Sequence, residues 1–273
     1  MKISVIITTY NNPFYLEKVL YGLRNQKRSP DELIVADDGS GKDTAKVIKT
    51  FSETVPFPVM HVWQENKGFR AAKIRNKAIN RSSGEYIIFL DGDCIVNRHF
   101  ISDHIYLAER NSFIQGKRIL VKKKAVGFFN CEHANSIRNL FDLALHGKIS
   151  NIHHLIRFPY DLHIHNRKLK GIKSCNMSFF KSDLLAVNAF NEDFIGWGNE
   201  DSELACRFFI YGLRKKIHPF MAICFHLWHP ANYPVNNKNK ELLKATIAAK
   251  ESFCQNGLLK TGINTYESRE THE

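Results

Sequence analysis

The sequence predicts an α/β protein whose central sheet is mostly parallel and flanked by helices. Three observations carry this. Short β-branched or apolar segments alternate with segments of helical period over the first ~110 residues. The strand-like segments run straight into polar clusters, as strands do at the ligand-binding edge of a parallel sheet. The 273 residues are 44% apolar and 24% charged, enough for one sizeable core with no sign of a fibrous or largely disordered chain.

Ile3–Thr8 is a short buried strand, and Pro13 opens a helix through Tyr15, Val19, Leu20 and Leu23. Glu32–Ala36 is a second strand ending at Asp37-Asp38-Gly39-Ser40, with a helix over Lys42–Phe51. Pro58–Trp63 is a third strand, and Phe69–Asn80 a helix with Ala71, Ile74 and Ala78 on one face. Glu85–Leu90 is a fourth, ending at Asp91-Gly92-Asp93. Strands joined through helices pair in parallel by right-handed crossovers, so these exits gather along one edge. Residues 125–173 have weak periodicity and are expected to hold short helices and a flexible loop. Further on, Ser174–Phe180 reads as a strand, Glu200–Tyr211 as a helix, Lys216–Phe225 as a strand and Asn237–Cys254 as a closing helix. A polar tail follows from Thr265. The organisation expected is a half of residues 1–112 and a second half of residues 113–273.

The net charge of +12 favours polyanionic partners, and it is concentrated at Lys117, Arg118, Lys122, Lys123 and Lys124 and at Arg167, Lys168, Lys170 and Lys173. These clusters read either as solvated faces or as contacts with an anionic membrane or acceptor. No zinc-finger spacing or RNA-recognition signature supports nucleic acid as the partner. Six scattered cysteines form no CxxC pair and fit a reducing compartment. No cleavable leader or bilayer-spanning run is visible, so a cytoplasmic protein is expected, peripheral at most to the inner face of a membrane.

Asp91 and Asp93 sit at i and i+2 at a strand exit, where two carboxylates reach a hard cation such as Mn²⁺ or Mg²⁺ and the phosphates it binds. Alone, this is also turn chemistry. Asn66-Lys67-Gly68-Phe69-Arg70 leads into a helix bearing Arg75, a setting suited to a diphosphate. Trp197 lies between Gly196 and Gly198, an indole on a loop suited to stacking on a sugar face. His226 and His229 follow a strand; alternation would send them to opposite faces unless the chain turns, as Pro230 allows. His153, His154, His163 and His165 lack tetrahedral zinc spacing and read as loop residues.

In chain order, Thr8-Thr9-Tyr10-Asn11, Asp-Asp-Gly-Ser, Asn-Lys-Gly and Asp-Gly-Asp resemble family 2 glycosyltransferases of the GT-A fold. Cys175-Asn176-Met177-Ser178 and Gly196-Trp197-Gly198-Asn199-Glu200-Asp201 resemble the acceptor-side motif of β-galactosyltransferases and chondroitin-type polymerases. The resemblance implies that Thr8, Tyr10, Asn11 and Asp38 hold a uridine, with Asp37 the lesser of the acidic pair. It places Asn66 and Arg75 near the diphosphate and sugar, and Asp91 and Asp93 on the donor and metal, with Asp93 the direct ligand. His226 completes the metal site, with His229 as the alternative. Asp201 is the general base for the acceptor hydroxyl, and Glu200 and Trp197 bind the acceptor. A helix N-terminus beside Asp201 is expected to lower its basicity. The implied partners are a UDP-sugar (galactose or N-acetylgalactosamine first, glucose next) and a saccharide or lipid-linked saccharide of bacterial surface glycans. A metal-dependent nucleotidyltransferase and a non-catalytic carbohydrate-binding protein are the competing readings.

Overall fold

The chain is described by a computed structural model covering residues 1–230 and 236–260; the expected polar tail from Thr265 lies outside the described residues. The first half is β1 (Ile3–Thr9), α1 (Pro13–Arg24), β2 (Glu32–Asp37), α2 (Lys42–Ser52), β3 (Val59–Trp63), α3 (Ala71–Arg81) and β4 (Tyr86–Asp91). The alternation expected from the sequence is present, with ends displaced by no more than about two residues. The α1 start shows why: Asn12 caps the Tyr15 N–H at 3.1 Å, Pro13 occupies the first turn, and Leu16, Val19, Leu20 and Leu23 face inward.

The second half is less regular. It runs β5 (Cys94–Val96), α4 (Phe100–Leu107), β6 (Ser112–Gln115), β7 (Lys117–Val121), α5 (Cys131–Asn135), α6 (Ile137–Leu145) and β8 (Ile149–Ser150). A 3₁₀ turn at Ile152–His154 leads to β9 (Ile164–Asn166), β10 (Asn176–Phe180), α7 (Lys181–Ala186), α8 (Glu200–Tyr211), β11 (Arg214–Ile217), β12 (Ile223–Leu227) and α9 (Asn237–Ala249). Three expectations are corrected. The strand expected over Lys216–Phe225 is two strands in different sheets, because Pro219 and the positive φ of Ala222 (53°) break the ladder between them. The closing helix stops at Ala249 rather than Cys254, where Lys250 turns left-handed at φ 56°. The basic run beginning at Lys117 contains strand β7, whose Ile119 and Val121 are buried and whose Lys117 and Arg118 are partly buried, Arg118 reaching towards the thiols of Cys94, Cys175 and Cys224.

The main sheet has the order β3-β2-β1-β4-β10-β6-β11-β9, and a smaller sheet has the order β5-β12-β7-β8. The β3-β2-β1-β4 portion is parallel, with Thr8 opposite both Ala36 and Asp91. Alternate β1 residues feed two cores: Ile3, Val5 and Ile7 face α1, α2 and the small sheet, whereas Ile6 faces α3 and α8. Strand β10 runs antiparallel to β4, with Asn176 opposite Leu90. Its first residues therefore stand at the edge where β4 ends. A parallel strand would have carried Ser174 and Cys175 to the far edge of the sheet, at ~3.3 Å per residue.

Asn176 also joins the two sheets. Its Nδ2 donates to the Lys117 and Ala222 carbonyls at 2.9 and 2.8 Å, and its Oδ1 lies 2.9 Å from His104 Nε2. His104 Nδ1 meets Ser178 Oγ at 2.7 Å, and burial pushes this imidazole down to about 4, so it stays neutral. Nothing in the periodicity marks His104 for this task.

Candidate active site

The exits of β1 and β2 are cross-laced. Asn11, at φ 43°, donates its N–H to Ser40 Oγ at 2.8 Å and accepts the Gly41 N–H at 2.9 Å. Asp37 accepts the Ser40 N–H and lies against His61 Nε2, each at 2.8 Å; although burial opposes ionisation, these partners hold its carboxyl below the usual range. Asp38, also buried, accepts from Gln64 Nε2 and from the Arg70 N–H at 2.6 Å each. Asn66 Nδ2 donates to the exposed Tyr10 hydroxyl at 2.9 Å. Gly39 is required beneath them: its φ is +98°, and a Cβ would stand 2.6 Å from the Asn66 backbone. Gln64 and His61, which orient the two acids, were not singled out in the sequence, because neither lies in an acidic or glycine-rich motif.

Arg75 is the centre of the cleft. It is buried on α3 and donates Nε to Thr8 Oγ1 at 3.2 Å, Nη1 to Glu200 at 3.1 Å, and sets Nη2 3.5 Å from Asp91. One guanidinium thus links the β1 exit, the β4 exit and the start of α8. Desolvation drives Asp91 well above the ordinary carboxylate range; Arg75 opposes this, while Asp93 and Glu200 add to it. Replacing Arg75 by Met is expected to cost about 3–5 kcal/mol of stability by leaving buried carboxylates uncompensated. Urea unfolding at pH 7 reads this loss, which should shrink at pH 4 as the acids take up protons.

Beside this knot, His226 Nε2 and His229 Nε2 lie 3.5 and 3.2 Å from Asp93 Oδ2. Both imidazoles reach one carboxylate because β12 ends at Leu227 and the chain turns before His229. The Asp93 carboxyl is held low by His229 and His226 despite its burial, and His229 is raised in return, first by its hydrogen bond to Asp93. One carboxylate and two imidazoles within 4.8 Å of one another could hold a divalent transition-metal cation, Mn²⁺ among them.

The acid pair opens α8. Asn199 is left-handed at φ 72°, and its side chain makes no cap hydrogen bond to the helix. Asp201 Oδ1 accepts the Ser202 N–H at 2.7 Å, and Oδ2 accepts the Ser174 N–H at 3.3 Å. The lowered basicity expected for Asp201 is corrected: burial first, then the Glu200 carboxylate, push it up to about 6 against the pull of Lys173 and Arg75. Trp197 is half-exposed on a loop whose contacts include Gly196 N–H to Phe69 O at 2.9 Å, Asn236 Nδ2 to Ile195 O at 2.7 Å, and Asn239 Nδ2 to Gly198 O at 2.9 Å and to Gly196 O at 3.4 Å.

The structure therefore gathers Thr8, Arg75, Asp91 and Glu200 at one point, with Asp201 beside Glu200 and with Asp93, His226 and His229 beside Asp91. Tyr10, Asn11, Asp38 and Asn66 form the wall on the β1–β2 side. All six cysteines are free and buried. No helix among the described residues is long and apolar enough to cross a membrane.

Known proteins are similar to this chain to different extents. Residues 153–230 match the family described as N-terminal domain of galactosyltransferase. The hyaluronan synthase of Pasteurella multocida is 29% identical over 228 residues, covering 77% of this chain and 23% of that protein. The chondroitin synthase of Escherichia coli is 25% identical over 225 residues, covering 77% of this chain and 32% of that protein. The chain thus spans less than a third of either. Among solved structures, S. aureus TarS 1–349 in complex with UDP-GlcNAc superposes with a TM-score of 0.63 at 18% identity, over 92% of this chain and 66% of that one. The mannosyltransferase PcManGT of Pyrobaculum calidifontis in complex with GDP-Man and Mn²⁺ gives 0.58 at 19% identity, over 85% and 58%. These likenesses establish the GT-A fold. The match to the Glycosyl transferase family 2 description runs over residues 4–179, most of the chain, and the chain belongs to that family.

Proposed function

We propose that the chain is an inverting, metal-dependent transferase that moves a hexose or N-acetylhexosamine from a UDP-sugar to a saccharide or lipid-linked saccharide of a bacterial surface glycan. UDP-galactose and UDP-N-acetylgalactosamine lead among the donors, with UDP-glucose next. The observation that carries this reading is Arg75, whose one guanidinium holds a donor-side acid, Asp91, against an acceptor-side acid, Glu200.

In this reading residues 1–112 bind donor and residues 113–273 bind acceptor. Thr8, Tyr10, Asn11 and Asp38 take the uridine; Gln64 and the Arg70 N–H fix the Asp38 carboxylate, which retains lone pairs for a base N–H. Asn66 and Arg75 face the diphosphate and sugar. Engaged by two acids, Arg75 acts chiefly as a positioning residue. Asp93, His226 and His229 would hold Mn²⁺ or Mg²⁺, which supplies charge neutralisation for the departing diphosphate. Asp201 removes the acceptor hydroxyl proton as that oxygen attacks the anomeric carbon from the face opposite the leaving group, so an α-linked donor gives a β-linked product. Trp197 and Glu200 orient the acceptor ring.

A thermal-shift screen of nucleotide-sugars with and without Mn²⁺ tests the donor assignment. The matching ligand at a hundredfold excess over its Kd stabilises by about 2.7 kcal/mol, and the shift should need the metal. Equal shifts from UDP- and GDP-sugars would count against the uridine assignment.

The reading includes peripheral contact with an anionic membrane. Supporting it, α6 buries Leu140 and Leu143 but exposes Ile137, Phe141 and Leu145, the last at 84%. Lys122 and Lys148 are backbone-bonded to each other beside this face. Flotation with phosphatidylglycerol vesicles should recover the protein, and phosphatidylcholine vesicles should not. Phe141→Asp with Leu145→Asp should abolish recovery, and unchanged recovery would remove α6 from the contact.

A further inference from the structure

A second cluster of metal-binding side chains lies away from the cleft, at the free edge of the main sheet. His165 is on β9, the outermost strand, where it pairs with Lys216 of β11. His163 precedes it, and Glu109 follows α4. One nitrogen from each imidazole and one oxygen of Glu109 lie within 4.8 Å of one another. His163 and His165, read from the sequence as loop residues, are here joined by a carboxylate more than fifty residues away, which no spacing motif could reveal, and His165 lies on a strand.

We propose that Glu109, His163 and His165 form a zinc site, separate from the Asp93 centre and resting on none of the donor-site assignments. Three features support it. His165 Nε2 is buried and makes no hydrogen bond, although Glu109 Oε1 is 3.2 Å away. That separation is close to the ~3.3 Å between ligand atoms of a tetrahedral ion with ~2.0–2.1 Å bonds. The supporting partners that metal ligands use are present as well. Glu109 gives its other oxygen, Oε2, to Lys216 Nζ at 2.7 Å, and His163 turns its Nδ1 to the Asp161 carboxylate. Two imidazoles with one carboxylate and no thiolate suit Zn²⁺ better than Mg²⁺ or Ca²⁺, which prefer all-oxygen shells.

The opposing charges are local. Arg214 Nη2 lies 3.7 Å from Glu109 Oε1 on a half-exposed side chain, while Lys216 already occupies the other oxygen. An ion here would clip β9 to the segment after α4. That strand leads through residues 167–172 to Lys173 and Ser174, which set the charge and hydrogen bonding of Asp201. The site is thus a structural clip on the stretch that feeds the acceptor base.

Metal counting on the full chain tests this. Chelator-treated protein is titrated with Zn²⁺ against a chromophoric competitor, in parallel with the His163→Ala/His165→Ala variant and with Asp93→Ala. The double-histidine variant should bind one equivalent fewer than the parent, with its metal-free melting and its Mn²⁺-dependent UDP shift unchanged. Asp93→Ala should retain the equivalent that the histidine variant lacks. Asp161→Asn, a change at an exposed position, should weaken that equivalent by about 10–100-fold. A folded histidine variant that binds as many equivalents as the parent overturns the proposal. Failure of the Asp93 centre would instead appear as loss of the UDP shift alone.

Discussion

Asp201→Asn should abolish sugar transfer while leaving UDP binding intact and raising the melting temperature at pH 7. The rate loss expected for removing a positioned base is about 10²–10⁴-fold. The stability gain follows from linkage. Asp201 is shifted from 3.8 up to about 6, so the folded state binds its proton more tightly than the unfolded state does. That stabilisation is complete below the unfolded pKa and is lost as pH rises through about 6, so at pH 7 the ionised group works against folding. A neutral amide relieves this but accepts only one of the N–H groups of Ser174 and Ser202, leaving a net gain on the order of 1–2 kcal/mol. At pH 4 the gain should vanish. In the parent, kcat/KM should climb with unit slope through pH 6. Near-normal transfer by the variant would remove Asp201 from the mechanism.

Asp93→Ala should eliminate metal-dependent UDP binding. Both His226 and His229 approach the same Asp93 oxygen, so truncation removes the anionic member of the set and leaves two imidazoles with nothing between them. Loss of a direct ligand should exceed the roughly 10–100-fold that outer partners cost in metal affinity. Calorimetry of UDP with Mn²⁺ against UDP with EDTA reads the difference. His229, now relieved of its partner, should titrate lower than in the parent, a shift visible by NMR. Retention of the Mn²⁺ effect by Asp93→Ala would move the cation elsewhere.

The donor half was legible because its strands are buried on both faces and each announces its end. Tyr86-Ile87-Ile88-Phe89-Leu90 runs straight into Asp91, and Leu33-Ile34-Val35-Ala36 into Asp37. The acid pair was legible as a motif at a helix start, and α8 begins at Glu200 as expected. Strand β7 was not, because Lys117 and Arg118 open it and Lys122 follows it, and the charges mask an alternation only a few residues long. Lys215 is a stronger case: it is 1% exposed yet lies in a run of three cations, its ammonium taken up by the Lys168 and Lys170 carbonyls. The pairing of both histidines with Asp93 stayed open in the sequence, because alternation holds only while the strand lasts, and β12 stops between them. The high pKa of Asp201 escaped because helix position was weighed without the burial that outranks it.

The Gly-Trp-Gly loop hangs from α9 by Asn236 and Asn239, and Asn239 has no exposed surface. Neither asparagine touches the laced exits of β1 and β2. The same loop is tied on its other side by the Gly196 N–H to the Phe69 carbonyl, so the indole is set jointly by α9 and by the segment that runs on to Arg70. If Trp197 is the acceptor platform proposed above, substitutions along α9 would re-aim it only as far as the Phe69 tether allows, so a change in what is decorated would stay coupled to the segment beside Asp38.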